Sequence, residues 1–430
     1  MNYKIIKLNI YFLIIFILLG FFGFVGIDLI GSLNNKQQAK SKLIGESNSS
    51  FRKKQEAIAS KDFGKEITIN YYPDFASNIV SLGEDIIPIN GISHIKTYFC
   101  AEQGFLSSYI ADRHGFNNDD DIYNNSSLDI ALIGDSYIHG ACTNKNSIQQ
   151  NLSNIHKDLS IISFANGGAG PLLELAYLKE YAINYKPKLV LWFWVGNDLR
   201  NLQDELASPL RFYMRDGYTQ NLFDPRRKME ADNIVNKIFQ DYKIEKSLNS
   251  EFEKSSQNLI SLKQRIKSYF PKTFSLYRSL KSKTNYELVG PQNRILSRET
   301  VLSRSLPNSE DILMKKVAEK VLLEANNTIK SYGGEFVIIY LGFGGWESNK
   351  YINKNFERTH NLQKNFLSNF AKNQSINYYD LDNDIDDIFS SKDHINGHFS
   401  DAGYQLISKI ISKYIQNMYS NSAKSQFMNY

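Results

Sequence analysis

Apolar and polar positions divide the chain into three stretches of different character. Residues 8–27 (LNIYFLIIFILLGFFGFVGI) carry no charge and almost no polar side chain. About 20 such residues suffice to cross a bilayer, and the polar face of a buried soluble helix is missing. Lys4 and Lys7 precede the stretch, as in an export signal, while neither a small-x-small cleavage site nor a lipid-anchoring cysteine follows. This predicts an uncleaved signal anchor over 1–32, with the bulk of the chain outside the cytoplasm; the alternative is a cleaved signal peptide. Lys36, Lys40 and Lys42 lie just beyond the span, so flanking charge does not vote cleanly on orientation. Residues 33–65, rich in Ser, Asn, Lys and Gln, read as a linker. A folded domain is expected over 66–420, with a short tail at 421–430.

Within that domain, continuous apolar runs occur at 128–133, 159–165, 188–195, 335–341 and 376–381. Amphipathic patterns of helical period lie at about 145–157, 171–186, 308–331, 357–373 and 401–418. Unbroken apolar strands alternating with such helices predict a parallel sheet covered on both faces. The expected fold is a three-layer α/β/α sandwich with five strands, whose ligands bind beyond the carboxyl ends of the strands. Residues 199–307 interrupt the alternation and are too long for a loop, so they are expected to form a helical insertion. Between Lys254 and Tyr286 it carries Lys254, Lys263, Arg265, Lys267, Lys272, Arg278, Lys281 and Lys283 and no acid. That face is either simply solvated or rests on anionic lipid or polyanionic glycan.

Composition changes this picture little. With 42% hydrophobic residues the chain can build a core, and a net charge of +5 is too mild to point to nucleic acid. The two cysteines, Cys100 and Cys142, make no metal pattern and no disulfide framework; both are expected to be packed, although an exported protein could pair them.

The candidate chemistry falls at the strand ends. Gly134-Asp135-Ser136-Tyr137-Ile138-His139-Gly140 follows the first apolar run, placing a serine where a buried strand turns sharply. The second strand ends in Asn166-Gly167-Gly168-Ala169-Gly170-Pro171, and glycines at such a junction let backbone approach a ligand closely. The third ends in Gly196-Asn197-Asp198, which offers an uncharged side-chain donor. His398-Phe399-Ser400-Asp401-Ala402-Gly403-Tyr404 precedes the last helix. An activated hydroxyl, a base and donors for an oxyanion are the requirements of acyl transfer.

Together and in this order, these segments resemble the four blocks of the SGNH, or GDSL, hydrolase superfamily. The resemblance covers parts of 128–198 and 335–418, and implies a flavodoxin-like sheet. It implies Ser136 as nucleophile, His398 as base and then acid, and an oxyanion hole from the Ser136 and Gly168 amides and the Asn197 side chain. Gly170 is the alternative to Gly168, and His394 the rival of His398. No metal or organic cofactor is implied. The pattern departs from the family at the acid, commonly an aspartate three residues before the histidine, where this chain has Ile395. Asp393 is the first choice for that role; Asn396 or a backbone carbonyl are the alternatives. The resemblance implies a serine esterase or O-acyl(acetyl)transferase acting outside the cytoplasm on O-acylated envelope glycan or on lipid. Hydrolysis and transfer share an acyl-enzyme and stay open. The other reading is an inactive glycan-binding or assembly protein of the cell envelope with polysaccharide-assembly partners. Neither reading involves nucleic acid.

Overall fold

In the computed structural model of the chain, residues 67–69, 86–99, 107–125, 127–237, 308–342, 354–385, 394–395 and 398–427 are described. The apolar stretch 8–27, the polar stretch 33–65, and residues 238–307 with their basic pattern lie outside them. Among the described residues no helix is long and apolar enough to cross a membrane.

Three short strands, β1 (Ile67–Ile69), β2 (Lys96–Tyr98) and β3 (Ser108–Ile110), form a small mixed sheet. The main sheet contains β4 (Ile130–Gly134), β5 (Ile161–Ala165), β6 (Leu189–Val195), β7 (Glu335–Leu341) and β8 (Asn377–Asp380). All its pairings are parallel, in the order β5-β4-β6-β7-β8. Every residue of β4, β5 and β6 is buried, which is why these segments read as unbroken apolar runs. Alternate side chains serve two cores. Ala131, Ile133, Trp192, Trp194, Ile338 and Tyr340 face one layer. Ile130, Leu132, Leu191, Phe193, Val337 and Ile339 face the other, as a period of two requires.

The first layer is covered by α3 (Pro171–Tyr177), α4 (Asp198–Leu206), α5 (Asn308–Ser331) and α6 (Lys354–Gln374). The second is covered by α2 (Ile148–Ile155) and α7 (Asp401–Phe427); the four-residue α1 (Ser136–His139) sits at the end of β4. The five-stranded parallel α/β architecture is therefore as expected. The strand order reverses between β4 and β6, so the crevice outside their carboxyl ends is the ligand position that the topology favours. The segment after β6 belongs to the core: Leu202, Leu210, Tyr213, Leu222 and Val235 are fully buried.

Gly140 ends α1 with φ of +82°, and a Cβ there meets the Ser147 Cβ at 2.6 Å, beside the capping box that starts α2. Gly140→Ala is expected to lower the free energy of unfolding by on the order of 1–3 kcal/mol, because it adds left-handed strain to a backbone clash. Urea denaturation followed by circular dichroism measures this.

Candidate active site

Asp135 leaves the strand with a backbone outside the helical region, and its carboxylate accepts from the Tyr137 amide at 3.0 Å, which caps α1. Ser136 thus becomes the first helical residue, and its own amide is one of the donors that a helix start leaves unused. From 262 residues away the His398 Nε2 reaches the Ser136 Oγ at 2.9 Å. His398 lies on β10 (His398–Phe399), which pairs antiparallel with β9 (His394–Ile395), so that His398 is registered opposite Ile395 and Phe399 opposite His394. Asp393 and Asn396, the candidates for orienting the ring, lie outside the described residues. Other contacts seat the histidine: its ring lies 5.0 Å from that of Tyr137, and the Tyr404 hydroxyl on α7 donates to the Ala141 carbonyl at 2.8 Å. The latter bond ties the last helix to the loop behind the serine.

The second strand end is held by a net of side chains. The Gly167 amide donates to the Asn166 Oδ1 at 2.8 Å and to the His139 Nδ1 at 3.2 Å. The Glu205 carboxylate accepts from the Gly170 amide at 2.7 Å and the Leu172 amide at 2.9 Å, which satisfies the start of α3. Asn201 donates to the Ala169 carbonyl at 3.1 Å. Gly168, at φ +75°, lies between these anchored neighbours, and its amide forms no hydrogen bond among the described residues. The Gly170 amide is engaged, so the geometry prefers Gly168 as an oxyanion donor.

At the third strand end, the Asn197 side chain is hydrogen-bonded to the Asp135 carboxylate. The preceding peptide is clamped: Gln363, buried on α6, donates to the Gly196 carbonyl at 2.9 Å and accepts from the Trp194 indole at 2.7 Å. Sheet register sets Gly134 beside Ala165 and Ile133 beside Trp192, so the serine, Gly168 and Asn197 occupy three adjacent strand ends.

The electrostatics beneath the serine are dominated by buried acids. Burial raises the Asp135 carboxyl to about 6, opposed by its bond from the Tyr137 amide and by His398. Glu174 is pushed well above the usual carboxylate range by burial and then by Asp198, Asp135 and Glu205. Asp198 is raised by burial and by Asp135, although its carboxylate accepts from the Val195 amide at 2.8 Å. Acids crowded this way hold their protons to higher pH. His139 is lowered to about 3 by burial and by the charge of His398, so it stays neutral and keeps Nδ1 as an acceptor for Gly167. Among the described residues no group of three or more His, Cys, Asp or Glu could hold a metal ion.

Several supporting residues carried no sequence signal. Asp135 belonged to the serine motif but had no assigned role. His139, Asn201, Glu205 and Gln363 act across gaps that periodicity does not reveal. One expectation is corrected: Cys142 is not simply packed but disulfide-bonded, and its Sγ lies 3.8 Å from the His398 Nδ1. The chain has one other cysteine, Cys100. A lone pair of cysteines in a sequence does not distinguish packing from pairing.

No family model matches the chain, and no curated protein does. Solved structures give distant likenesses, each with a TM-score of 0.33. A protein from Desulfitobacterium hafniense assigned to the lipolytic G-D-S-L family shares 11% identity, over 67% of this chain and 99% of that one. One from Bacteroides fragilis assigned as an acylhydrolase shares 11%, over 68% and 88%. A GDSL-like lipase from Bacteroides thetaiotaomicron shares 9%, over 68% and 89%. At this distance they add no argument to the geometry.

Because the folded state raises the Glu174 carboxyl, that group's contribution to stability is whole below its unfolded pKa and is lost as pH rises through the folded one. Glu174→Gln removes the ionisation and is expected to be more thermostable than the parent at neutral and alkaline pH. The advantage should shrink toward pH 4, as melting temperatures across that range will show.

Proposed function

We propose that the chain is a serine-dependent esterase or O-acyltransferase of the SGNH type, acting outside the cytoplasm on O-acylated envelope glycan or on lipid. The observation that carries this reading is the 2.9 Å contact between the Ser136 Oγ and the His398 Nε2 at the switch point of a parallel sheet. His398 takes the hydroxyl proton as the Ser136 Oγ attacks the ester carbonyl. The amides of Ser136 and Gly168 and the Asn197 side chain then hold the tetrahedral oxyanion. The proton passes from His398 to the leaving alcohol, and an acyl-enzyme remains. Water or an acceptor hydroxyl, deprotonated by the same ring, completes hydrolysis or transfer. The ionised Asp135 accepts from its neighbours and stabilises the imidazolium formed on the way. Two features support the location: the apolar stretch at 8–27, and a disulfide at Cys142, which persists in oxidising compartments.

A fluorophosphonate probe is expected to label the full chain at Ser136, and Ser136→Ala to abolish labelling. Ser136→Ala should also lower p-nitrophenyl acetate cleavage by about 10⁴-fold or to background. Asn197→Ala should lower kcat by about 10²- to 10³-fold with labelling site unchanged. A clean preparation that neither labels nor cleaves would sink the reading. Acetylated glycan offered together with a hydroxyl acceptor separates hydrolysis from transfer by product mass.

The working form of Asp135 is the carboxylate, so activity should be present above pH 6 and fall as pH drops through about 6. Asp135→Asn is expected to slow turnover and to remove one titrating group from the acid limb of kcat/KM, read as a shallower slope.

A further inference from the structure

We propose that Gln363 is a positioning residue for the candidate active site: it fixes the Gly196–Asn197 peptide so that the Asn197 side chain stands ready to donate to the oxyanion. This rests on the reading of Asn197 as an oxyanion donor.

An asparagine at the start of a helix ordinarily turns its side chain back to accept from an amide of the first turn. Asn197 stands immediately before α4 and makes no such bond. Its side chain is hydrogen-bonded instead to the Asp135 carboxylate. An ionised carboxylate only accepts, so it uses one of the two hydrogens on the amide nitrogen. The second hydrogen is the one that a tetrahedral oxyanion would take. With no helix cap to hold the side chain, its direction follows from the backbone on which Asn197 is mounted. An oxyanion donor acts through its placement, so a shift of that backbone is felt in turnover.

That backbone is pinned on both sides. The Val195 amide donates to the Asp198 carboxylate at 2.8 Å, and the Asn197 carbonyl accepts from the Arg200 and Asn201 amides at 3.0 Å. Between them, the Gly196 carbonyl lies past the end of the β6–β7 ladder, whose last pair is Val195 with Leu341. It accepts from the Gln363 Nε2 at 2.9 Å, while the Gln363 Oε1 accepts from the Trp194 indole at 2.7 Å. An indole N–H only donates and a carbonyl only accepts, so a side chain bridging the two must carry a donor and an acceptor together. The carboxamide does so in one orientation alone. Gln363 is buried, and its loss would leave both partners unsatisfied. Its own helix is fixed in turn: Phe366, Leu367 and Phe370 of α6 lie in the first core. One turn earlier, His360 is hydrogen-bonded through Nδ1 to the Tyr340 hydroxyl of β7 at 2.8 Å. Gly196 leaves room for this packing, since a Cβ there would approach the Gly342 carbonyl oxygen at 3.0 Å. A bond across 167 residues thus couples α6 to the oxyanion donor.

Full-chain variants compared on p-nitrophenyl acetate test this, with the fold checked by circular dichroism. Gln363→Met nearly keeps the volume and removes both bonds. Expected is a fall in kcat of about 5- to 20-fold with KM changed less than about twofold, since a displaced oxyanion donor is felt in the transition state more than in substrate binding. A merely structural loss would slow turnover equally whatever stands at 197. In an Asn197→Ala background, therefore, Gln363→Met is expected to lower kcat by less than about twofold, and a fully additive effect overturns the proposal. So does a folded Gln363→Met chain of parental kcat. Should Gln363→Met fail to fold, Gln363→Glu decides, because a protonated carboxyl can donate to Gly196 and accept from Trp194 while an ionised one cannot donate. Burial raises such a carboxyl, so its kcat relative to the parent is expected to fall as pH rises from about 6 to about 9. A ratio unchanged over that range overturns the role. Should the parent chain itself neither label nor cleave, the esterase reading fails separately. Nuclear magnetic resonance of the Asn197 side-chain amide then tests the positioning directly: resonances unmoved by the folded Gln363 variant overturn it, and shifted ones uphold it.

Discussion

One hydrogen bond, between Ser136 and His398, joins residues 262 apart, and the rest of the site is arranged around it. Such a bond contributes only about 1 kcal/mol net, far too little to bring two distant segments together. The placing is done by apolar burial. β4 is buried along its whole length between β5 and β6, so the turn that carries Ser136 starts from a fixed point. α7 buries Tyr404, Ile407, Ile411 and Ile415 in the second core, and His398 stands immediately before it. The bond from Tyr404 to Ala141 then sets the last helix against the loop behind the serine.

The residues nearest this bond are chosen against stability. Asp135, Glu174, Asp198 and Glu205 are buried acids, the other three close enough to raise Glu174, and Cys142 holds a backbone conformation that glycine would adopt more easily. Each departure has a positional use. Asp135 caps α1 and meets Asn197; Glu205 takes two amides from the start of α3, leaving Gly168 between anchored neighbours. Locally unfavourable choices gathered at one sheet edge, over a core that is otherwise consistent, are the pattern that functional sites show.

The strands and helices were legible because burial on both faces leaves an unbroken apolar run, and burial on one face leaves a helical period. Thus β7 coincides with the run read at 335–341, and α5 with the pattern at 308–331. The reading was weaker where chemistry replaced periodicity. Residues 199–237 looked like the start of an insertion, yet α4 supplies Asn201 and Glu205 to the turn after β5. Gln363 lies in an ordinary amphipathic helix, and nothing in its surroundings announces a bond to the Gly196 carbonyl 167 residues earlier.

By itself the sequence determined the parallel sheet, its covering helices and the four strand-end segments, because hydrophobic period and turn chemistry are local properties. It also marked Ser136 and His398 as the pair to watch. Only the tertiary structure decided that their side chains meet at 2.9 Å, that Gly168 rather than Gly170 keeps an unengaged amide, and that a disulfide sulfur lies 3.8 Å from the His398 Nδ1. Those outcomes depend on distances between atoms that are remote along the chain. Such distances are set by how the layers pack, and no local pattern of residues encodes them.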